Sequence, residues 1–310
     1  MTSNTEQAME RSVSSPKRGG FPSLHGSSRR RRQWTALLRE PGTALGLFLV
    51  ASLLLAGMLA PWLPMDDPTR INLPERLHSP STEHLLGTDH LGRDTFSRIV
   101  YGTRLTLLAA AATLALSMTI ALTVGILSGY HGGWADTVLM GVVDLLLAFP
   151  SLILALAVAG ALGPGLFNVL LAAGAVWWVG HARIIRGITL GARQMEYVTA
   201  ARAAGAGNLR IILRHIAPNI LGPIIVIASL DIGWIILGIA GLSFLGLGAQ
   251  PPAPEWGAML NDARPHLQTA PRLLLLPGIA IFGTVLAFNL LGDGLRDLLD
   301  PRTRRARDDR

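Results

Sequence analysis

The stretch ILGPIIVIASLDIGWIILGIAGL, residues 220–242, decides the fold because its 23 residues carry one charged side chain, Asp231. The hydrocarbon core of a bilayer is about 30 Å thick and is crossed by about 20 apolar residues in a helix. In lipid each backbone N–H and C=O group must be bonded inside the protein, so an apolar run of this length predicts a transmembrane helix. The alternation of polar and apolar residues typical of a membrane β-barrel strand is absent.

Five further apolar runs have the same character, in a chain of 310 residues that is 50% hydrophobic and 15% charged. One of them, residues 166–180, is short, and Trp177 and Trp178 near its end indicate an interfacial anchor. In another, Pro150 predicts a kink. The sequence therefore predicts an all-α, polytopic membrane protein with six transmembrane helices. These lie at 42–63, 105–128, 137–162, 166–180, 220–242 and 273–291.

The basic residues orient these helices. Of the 27 Lys and Arg residues, eight precede residue 42, six lie in the loop 182–218 and six follow residue 292. The segments 64–104 and 243–272 hold the other seven, balanced by acids. Since basic loops stay in the cytoplasm, both termini and the loop are predicted to be cytoplasmic, and the two balanced segments external. The net charge of +7 therefore reflects the membrane topology of the chain. No aromatic residues lie among the basic ones, as would be expected of a nucleic-acid-binding surface.

No motif for catalysis or nucleotide binding is present. Without GxxxxGK[ST], the chain is expected to bind neither ATP nor another cofactor. HExxH, a GxSxG elbow and cysteine are also absent. A membrane enzyme would need a pair such as Ser243 and His181, which are predicted near opposite faces of the membrane. His78, His84 and His90 recur every six residues, which fits neither one helix face nor a usual ligand pair, so a solvated loop is expected rather than a metal site.

Two carboxylates, Asp144 and Asp231, fall inside apolar runs. A charge buried in a bilayer costs several kcal/mol, so each is expected to face the bundle interior or a water-filled path and to find a polar partner. Both are candidate polar groups of a translocation path. The structural alternative is a helix–helix hydrogen bond, or an interfacial position for Asp144. A gradient-driven carrier or channel would use the same residues as ion sites, but the inverted repeats expected of many carriers are absent.

The most polar stretch between two apolar runs is EYVTAARAAGAGNLRIILRHIAP, residues 196–218. It predicts two short helices broken at 205–207, with Asn208 as the cap of the second helix and Pro218 just after its end. Each half has an apolar face at helical spacing, so the stretch predicts a helical hairpin that docks a soluble partner. The two faces are Tyr197, Ala200, Ala201 and Ala204, and Leu209, Ile212, Leu213 and Ile216.

The segments predicted to be external contain ordered turns. In the first, Asp94 is placed to cap a helix that runs through Phe96 and Ile99. In the second, a proline-rich turn at 246–257 leads to Trp256, which is expected at the membrane interface. Such surfaces suit the docking of an extracytoplasmic partner or a gate, and a scaffold role is the alternative.

From about residue 37 to 302 the chain resembles the permease subunits of bacterial ATP-binding-cassette (ABC) importers for dipeptides, oligopeptides and nickel. Several separate motifs in one order carry the resemblance. They are LGTDHLGRD at 86–94, YGTRLTL at 101–107, GYHGGWAD at 129–136, FPSL at 149–152, the stretch 196–218, SFLGLGAQPPAPEWGAM at 243–259 and AFNLLGDGLRDLLDPR at 287–302.

The resemblance implies the fold of a type I ABC importer permease. The implied partners are a homologous second permease, two ATPase subunits that bind ATP and Mg²⁺, an extracytoplasmic substrate-binding protein, and the lipid bilayer of the bacterial inner membrane. The chain would form half of a path for di- or oligopeptides, with nickel or a metal chelate as the alternative cargo. The implied divisions are a disordered basic cytoplasmic tail at 1–36, the first transmembrane helix and external segment at 37–101, a core of five helices at 102–292, and a cytoplasmic tail at 293–310.

The resemblance also implies that the loop 182–218 is the coupling loop that binds the ATPase subunits. The family pattern is Glu-Ala-Ala, a glycine four residues later, and an apolar stretch that ends in Leu-Pro. Here Thr199 stands in place of the glutamate, so a salt bridge from that position is not available, and Ala217-Pro218 replaces Leu-Pro. The predicted coupling residues are Glu196, Tyr197, Thr199, Ala200, Ala201, Arg202, Gly205, Asn208, Arg210 and Pro218.

Overall fold

The computed structural model describes residues 40–299, which are mostly helical. The predicted tail at 1–36, and residues 300–310 of the predicted C-terminal tail, lie outside this range. Residues 293–299, also assigned to that tail, continue the last helix. The α-helices of the described part are α1 Pro41–Leu59, α2 Thr95–His131, α3 Gly133–Leu147, α4 Ser151–Leu162, α5 Leu166–Arg193, α6 Glu196–Ala203, α7 Asn208–Ile211, α8 Ala217–Phe244, α9 Trp256–Ala263 and α10 Arg272–Leu299.

Five helical stretches are long and apolar enough to cross a membrane, which confirms an all-α, polytopic protein. The remaining predicted span, at 137–162, is broken. Helix α3 ends at Leu147, α4 begins at Ser151, and their axes differ by 88°. The kink predicted at Pro150 is therefore confirmed, and it is a full break of the helix. Proline lacks the N–H that would continue the ladder, and it moves Phe149 away from helical dihedral angles.

Helix α5 is much longer than predicted. It continues past residue 180 to Arg193, so Trp177 and Trp178 lie in its middle. The Trp177 ring packs on Gly238 of α8, where an added Cβ would come within 2.2 Å of the ring. The predicted end of this helix at residue 180 is therefore wrong, and Trp177 packs inside the bundle, while the interfacial position of Trp177 and Trp178 stays a prediction. The buried positions keep helical spacing across residue 180, so the packing face of α5 is continuous. These positions are Val169, Ala172, Val176, Val179, Ala182, Ile185, Thr189 and Ala192.

The centre of the bundle is the long contact between α2 and α5, where small residues let the two backbones approach. An added Cβ at Gly125 would lie 2.7 Å from the Ala182 carbonyl oxygen, and one at Gly129 would lie 2.8 Å from the Arg186 carbonyl oxygen. Small residues at helix contacts are how membrane helices gain van der Waals packing in the absence of a hydrophobic driving force. These glycines bring residues 181–186 of α5 close to the core of the protein.

The segments 64–94 and 245–271 fold together at one end of the bundle, and we call them the polar cap. Arg98 is almost fully buried and joins the two segments, since it donates to the Pro68 carbonyl at 2.9 Å and to the Pro252 carbonyl at 3.2 Å. A guanidinium with five N–H donors can satisfy several buried carbonyls at once. The cap is therefore held by buried polar contacts between two segments that are distant in sequence.

A second buried arginine strengthens the cap. Arg93 donates from Nε to Asp89 at 2.6 Å and lies 3.3 Å from Asp262. Arg272, at the start of α10, donates to the His78 carbonyl at 2.6 Å. These contacts bind the first cap segment to α9 and α10.

The predicted N-cap of α2 is confirmed, whereas the predicted solvated loop is wrong for His84. Asp94 accepts from the Ser97 backbone N–H at 2.7 Å. His84 lies between two carboxylates, with Nδ1 at 3.0 Å from Asp94 and Nε2 at 3.3 Å from Glu75. Burial of the ring acts to lower the pKa of His84, but the hydrogen bonds and charges of the two carboxylates outweigh it and raise the pKa above its usual value.

The prediction of an interfacial Trp256 is also wrong, because this side chain is fully buried. Its Nε1–H donates to the Ile99 carbonyl at 3.0 Å, and its ring packs on Gly102 of α2. The preceding Glu255 caps α9 by accepting from the Gly257 N–H at 2.9 Å. Burial raises the pKa of Glu255, against the effect of these backbone hydrogen bonds.

Candidate translocation cavity and coupling loop

A cavity of about 490 Å³ lies where the broken pair α3–α4 faces α5 and α8. Most of its wall is aliphatic or aromatic, and α2 contributes one residue. The break at residues 148–150 turns the chain around the cavity, so the kink directly shapes this site. The lining residues are Ser117, Leu146, Leu147, Phe149, Ser151, Leu152, Val176, Trp177, Val179, Gly180, His181, Asp231, Trp234, Ile235, Leu237, Gly238 and Gly241.

The carboxylate of Asp231 lies in this cavity against Nε2 of His181. The other ring nitrogen, Nδ1, lies 3.0 Å from the Trp177 carbonyl, so it carries a proton and donates it. Nε2 is in close contact with Oδ2 of Asp231, although this buried oxygen has no hydrogen bond of good geometry within residues 40–299. The polar partner expected for Asp231 is thus a histidine in the middle of α5. The apolar run ends at residue 180, so His181 was predicted at a helix end.

Ser117 of α2 is a further polar residue in the cavity wall, and no sequence pattern indicated it. Its side chain is about 99% buried, and its hydroxyl has no hydrogen-bond partner among residues 40–299. Serine in a helix usually satisfies its hydroxyl with a carbonyl of the preceding turn, so an unpaired buried hydroxyl is unusual. Three polar groups from three helices, Ser117, His181 and Asp231, therefore share one cavity.

The structure does not bring Asp144 to this cavity. Asp144 on α3 pairs with Arg183 on α5, and both side chains are more than half exposed in the single chain. Nearby, Arg186 binds Asp136 through two hydrogen bonds of 2.6 Å each. Exposed ion pairs on apolar helices are costly against lipid. The face formed by α3 and α5 is therefore suited to contact with protein or water.

At the end of the bundle opposite the polar cap, the predicted coupling loop forms a helical hairpin. Helix α6 ends at Ala203 and α7 begins at Asn208, as the break predicted at 205–207 requires. Gly205 has a φ of +79°, a conformation that glycine adopts without Cβ strain. Two details differ from prediction. Asn208 caps no helix and accepts from the Tyr130 hydroxyl at 2.9 Å, and Pro218 lies in the first turn of α8.

The second half of the hairpin is continuous with a membrane span. A π-helical segment, Ile212–Ile216, joins α7 to α8 without a turn. Proline inside a helix removes one backbone donor and disturbs the hydrogen-bond ladder, and here the ladder changes register in the π turn directly before Pro218. The helix continues through Pro218, which does not end the hairpin.

The predicted apolar faces of the hairpin are only partly correct. The buried contacts come from Val198, Ile211, Ile212 and Ile216. Leu209 and Leu213, which were predicted on the same face, are 69% and 59% exposed. Nine of the ten predicted coupling residues are exposed in the single chain, and Ala201 is half-buried.

The exposed side of the hairpin contains an open groove of about 540 Å³. Its apolar side chains are Leu209 and Leu213, and its basic side chains are Arg210 and Arg214. The other two lining residues, Gly205 and Gly207, have no side chains that would narrow it. A groove with apolar and basic side chains can accept apolar side chains of a protein whose neighbouring surface is acidic.

Comparison with known proteins agrees with this architecture. Residues 121–305 match the family described as binding-protein-dependent transport system inner membrane component. The glutathione transport system permease protein GsiD of Pectobacterium atrosepticum is 45% identical over 273 residues, 88% of this chain and 91% of that protein. The nickel transport system permease protein NikC of Escherichia coli K12 is 45% identical over 257 residues, 83% of this chain and 93% of that protein.

A third relative, the dipeptide transport system permease protein DppC of Alkalihalophilus pseudofirmus, is 44% identical over 272 residues, 88% of this chain and 90% of that protein. These similarities cover both the polar cap and the hairpin. They favour the permease over the gradient-driven carrier and the membrane enzyme. The chain is a multi-pass membrane protein that belongs to the family of inner-membrane permease components of binding-protein-dependent transport systems, and it is a transport subunit of an ABC importer and not an enzyme.

Proposed function

We propose that the chain forms half of the path of an ATP-driven importer for short peptides in a bacterial inner membrane. A homologous second permease would cover the face that carries the cavity and the exposed pair of Asp144 and Arg183. Two separate ATPase subunits would bind ATP and Mg²⁺, and an extracytoplasmic binding protein would deliver the peptide. The cavity supports this role most strongly, because it places polar groups among membrane-spanning helices.

The positive-inside bias supports an orientation with both termini and the loop 182–218 in the cytoplasm. The polar cap would then face the binding protein, and the hairpin would face the ATPase subunits. Tyr130 at the end of α2 holds Asn208 of the hairpin, and Val198 and Ile211 are fully buried. Motion of a bound ATPase subunit would therefore be transmitted to α2 and α8.

The shape and lining of the cavity favour peptide over a bare metal ion as cargo. Its volume of about 490 Å³ falls within the range of about 300–1,000 Å³ that is usual for small-molecule sites. Its wall offers apolar and aromatic surface for side chains but few ligand atoms for a divalent cation. Relatives from glutathione, dipeptide and nickel systems are similar to this chain to nearly the same degree, so nickel remains the second candidate.

The coupling role is tested by placing a charge on the exposed side of the hairpin. Ala204→Glu and Leu213→Glu should leave the chain inserted and paired with the second permease, because both side chains are exposed. Both variants should lose most ATPase co-purification and most uptake of labelled Ala-Phe, since a desolvated charge opposes docking. Leu267→Glu, a similar change at an exposed leucine of the polar cap, should retain ATPase co-purification.

Normal uptake and normal ATPase co-purification in both hairpin variants would exclude this surface as the ATPase contact. The cargo is tested separately with the unchanged transporter, by comparing uptake of labelled Ala-Phe with uptake of radioactive nickel. Uptake of nickel alone would replace the peptide proposal with the metal one.

A further inference from the structure

We propose that Asp231, His181 and Ser117 form a cargo subsite for a protonated primary amine, such as the amino terminus of a peptide. This inference rests on the proposed role of the chain as a peptide permease and names the group that its cavity recognises. The three residues come from α8, α5 and α2, and all three line the same cavity. None of the three belongs to the hairpin or to the polar cap.

The unpaired hydroxyl of Ser117 is the first observation that indicates a ligand. An unsatisfied buried polar group costs about 1–3 kcal/mol, so the site is incomplete without a donor or acceptor from elsewhere. Among residues 40–299 no side chain or backbone group supplies one. A hydroxyl oxygen can accept a hydrogen bond from an ammonium group that enters the cavity.

The pairing of Asp231 is the second observation. Its carboxylate contacts a histidine that is anchored at the other ring nitrogen by the Trp177 carbonyl. An ammonium group carries the same charge as imidazolium and has three N–H donors, so it can replace His181 at the carboxylate. The displaced imidazole keeps its Nδ1 bond to the Trp177 carbonyl. Asp231 is thus paired both before and after the amine binds.

Aromatic residues form a further part of the cavity wall, which is otherwise mostly aliphatic. Trp177, Trp234 and Phe149 line it, and the Trp234 side chain is 75% exposed in the single chain. Ring faces attract a nearby cation and also provide apolar surface for the body of a peptide. The site therefore fits a molecule with one ammonium group on a largely apolar frame.

A divalent cation fits this lining less well. Apart from Asp231 and His181, the polar side chains of the wall are the hydroxyls of Ser117 and Ser151. Ions such as Ni²⁺ bind best to several nitrogen or oxygen ligands in a fixed geometry. We therefore assign the subsite to an amine and treat a metal ion as a contrary outcome of the test.

The chain has no cysteine, so a single introduced thiol reports on the cavity. Ser151→Cys places that thiol at an exposed position of the cavity wall. The assembled transporter in nanodiscs is treated with N-ethylmaleimide, and labelling of this chain is followed on a gel. Ala-Phe should slow the labelling, and N-acetyl-Ala-Phe, which has no ammonium group, should not. Thr82→Cys in the polar cap should label at the same rate with or without either compound.

Side-chain variants then assign the effect to the subsite. In the Ser151→Cys background, Asp231→Asn should raise the Ala-Phe concentration for half-protection by about tenfold or more, as expected for loss of a charge-assisted hydrogen bond. Ser117→Ala should weaken protection by a smaller factor. Thr119→Val is the matched control, because this exposed hydroxyl on the same helix donates to the Ala115 carbonyl. Asp231→Glu, which keeps the charge, shows whether loss of folding explains the asparagine result.

Equal protection by the free and acetylated peptides would overturn the amine assignment, and so would full protection in Asp231→Asn. Protection by nickel chloride and not by Ala-Phe would reassign the pair to a metal. Uptake of Ala-Phe without protection would refute the subsite and leave the peptide permease standing. Absence of both uptake and protection, with nickel uptake present, would refute the proposed cargo itself.

Discussion

Asp144 and Asp231 are both carboxylates inside apolar runs, yet their surroundings differ. Asp231 is mostly buried against His181 in a cavity, whereas Asp144 is mostly exposed and pairs with Arg183. The sequence correctly indicated that both need polar partners. It could not identify those partners, because both lie on a helix whose end was placed too early. Ser117 could not be found at all, since one serine in an apolar run is usually satisfied within its own helix.

Gly238 provides the first prediction at this scale. Gly238→Ala would place a methyl group against the Trp177 ring, at an initial separation of 2.2 Å. The ring must move into the cavity, at a cost of about 1–3 kcal/mol for overpacking. We expect a lower unfolding temperature and slower peptide uptake. Gly241→Ala is the matched control, because Gly241 lines the same cavity and an added Cβ there meets nothing within 4 Å. Equal effects of the two changes would contradict the prediction.

His84 provides the second prediction, which concerns pH. Its folded-state pKa is raised by Asp94 and Glu75 against the effect of burial. Its contribution to stability is therefore complete below the unfolded pKa of about 6.5 and is lost as the pH rises through the higher folded value. The unfolding temperature of the purified protein should fall between pH 6 and pH 8.5, and His84→Gln should reduce that fall. His78→Gln, at an exposed neighbour, should leave the pH dependence as it is.

At the scale of elements, helix type and order were predicted well and helix ends were not. The break at Pro150 and the cap at Asp94 were predictable because each depends on the chemistry of one residue. The length of α5 was missed because His181, Arg183 and Arg186 interrupt the apolar run. Helical spacing of small and apolar residues continued past this interruption, and it was the better signal.

The hairpin shows a second limit of sequence patterns. Helical periodicity correctly predicted two amphipathic halves, but it could not tell which apolar residues face the bundle. Val198 and Ile211 are fully buried, and Leu209 is exposed. Burial here depends on where α6 and α7 meet α2 and α8, which is a tertiary contact.

The polar cap gives a prediction for an element. Arg93→Met should remove one of the two guanidinium groups that pair with the largely buried carboxylate of Asp89, which keeps Arg98 at 3.5 Å, at a cost of about 1–3 kcal/mol. The purified protein should unfold at a clearly lower temperature, and protease should cut segment 64–94 more quickly. Arg76→Met, at an exposed cap position, should change neither measurement much. A stable, protease-resistant Arg93→Met protein would show that the buried pair is not what holds the cap.

At the scale of the whole molecule, the bundle has two different ends and one polar face. The cap is held by buried arginines, the opposite end carries the hairpin, and the cavity lies between them. A single sequence could predict the two ends from its charge distribution. It could not predict the cavity, because that volume depends on an 88° break and on the packing of α5 against α8.

The proposed orientation is testable at this scale. Thr82→Cys in the polar cap should react with an impermeant maleimide added to spheroplasts, whose inner membrane is intact. Arg202→Cys in the hairpin should react only after the inner membrane is opened. Both positions are exposed, so access to reagent depends on the side of the membrane. Labelling of Arg202→Cys in spheroplasts with an intact inner membrane would show that the proposed orientation is wrong.

The π-helical segment Ile212–Ile216 has a consequence for insertions and deletions. A π turn closes its hydrogen bonds over one more residue than an α turn, so loss of one residue converts it to α without turning the flanking helices. Deletion of Arg214 should therefore preserve the contact between Asp231 and His181. Deletion of Ile225, which lies in the α-helical part between Pro223 and Asp231, should rotate the hairpin by about 100° and shift it by about 1.5 Å relative to Asp231. Folded yield and ATPase co-purification should be retained after the first deletion and lost after the second. The π-helical segment would then be a place between the hairpin and the cavity where the chain tolerates the loss of one residue.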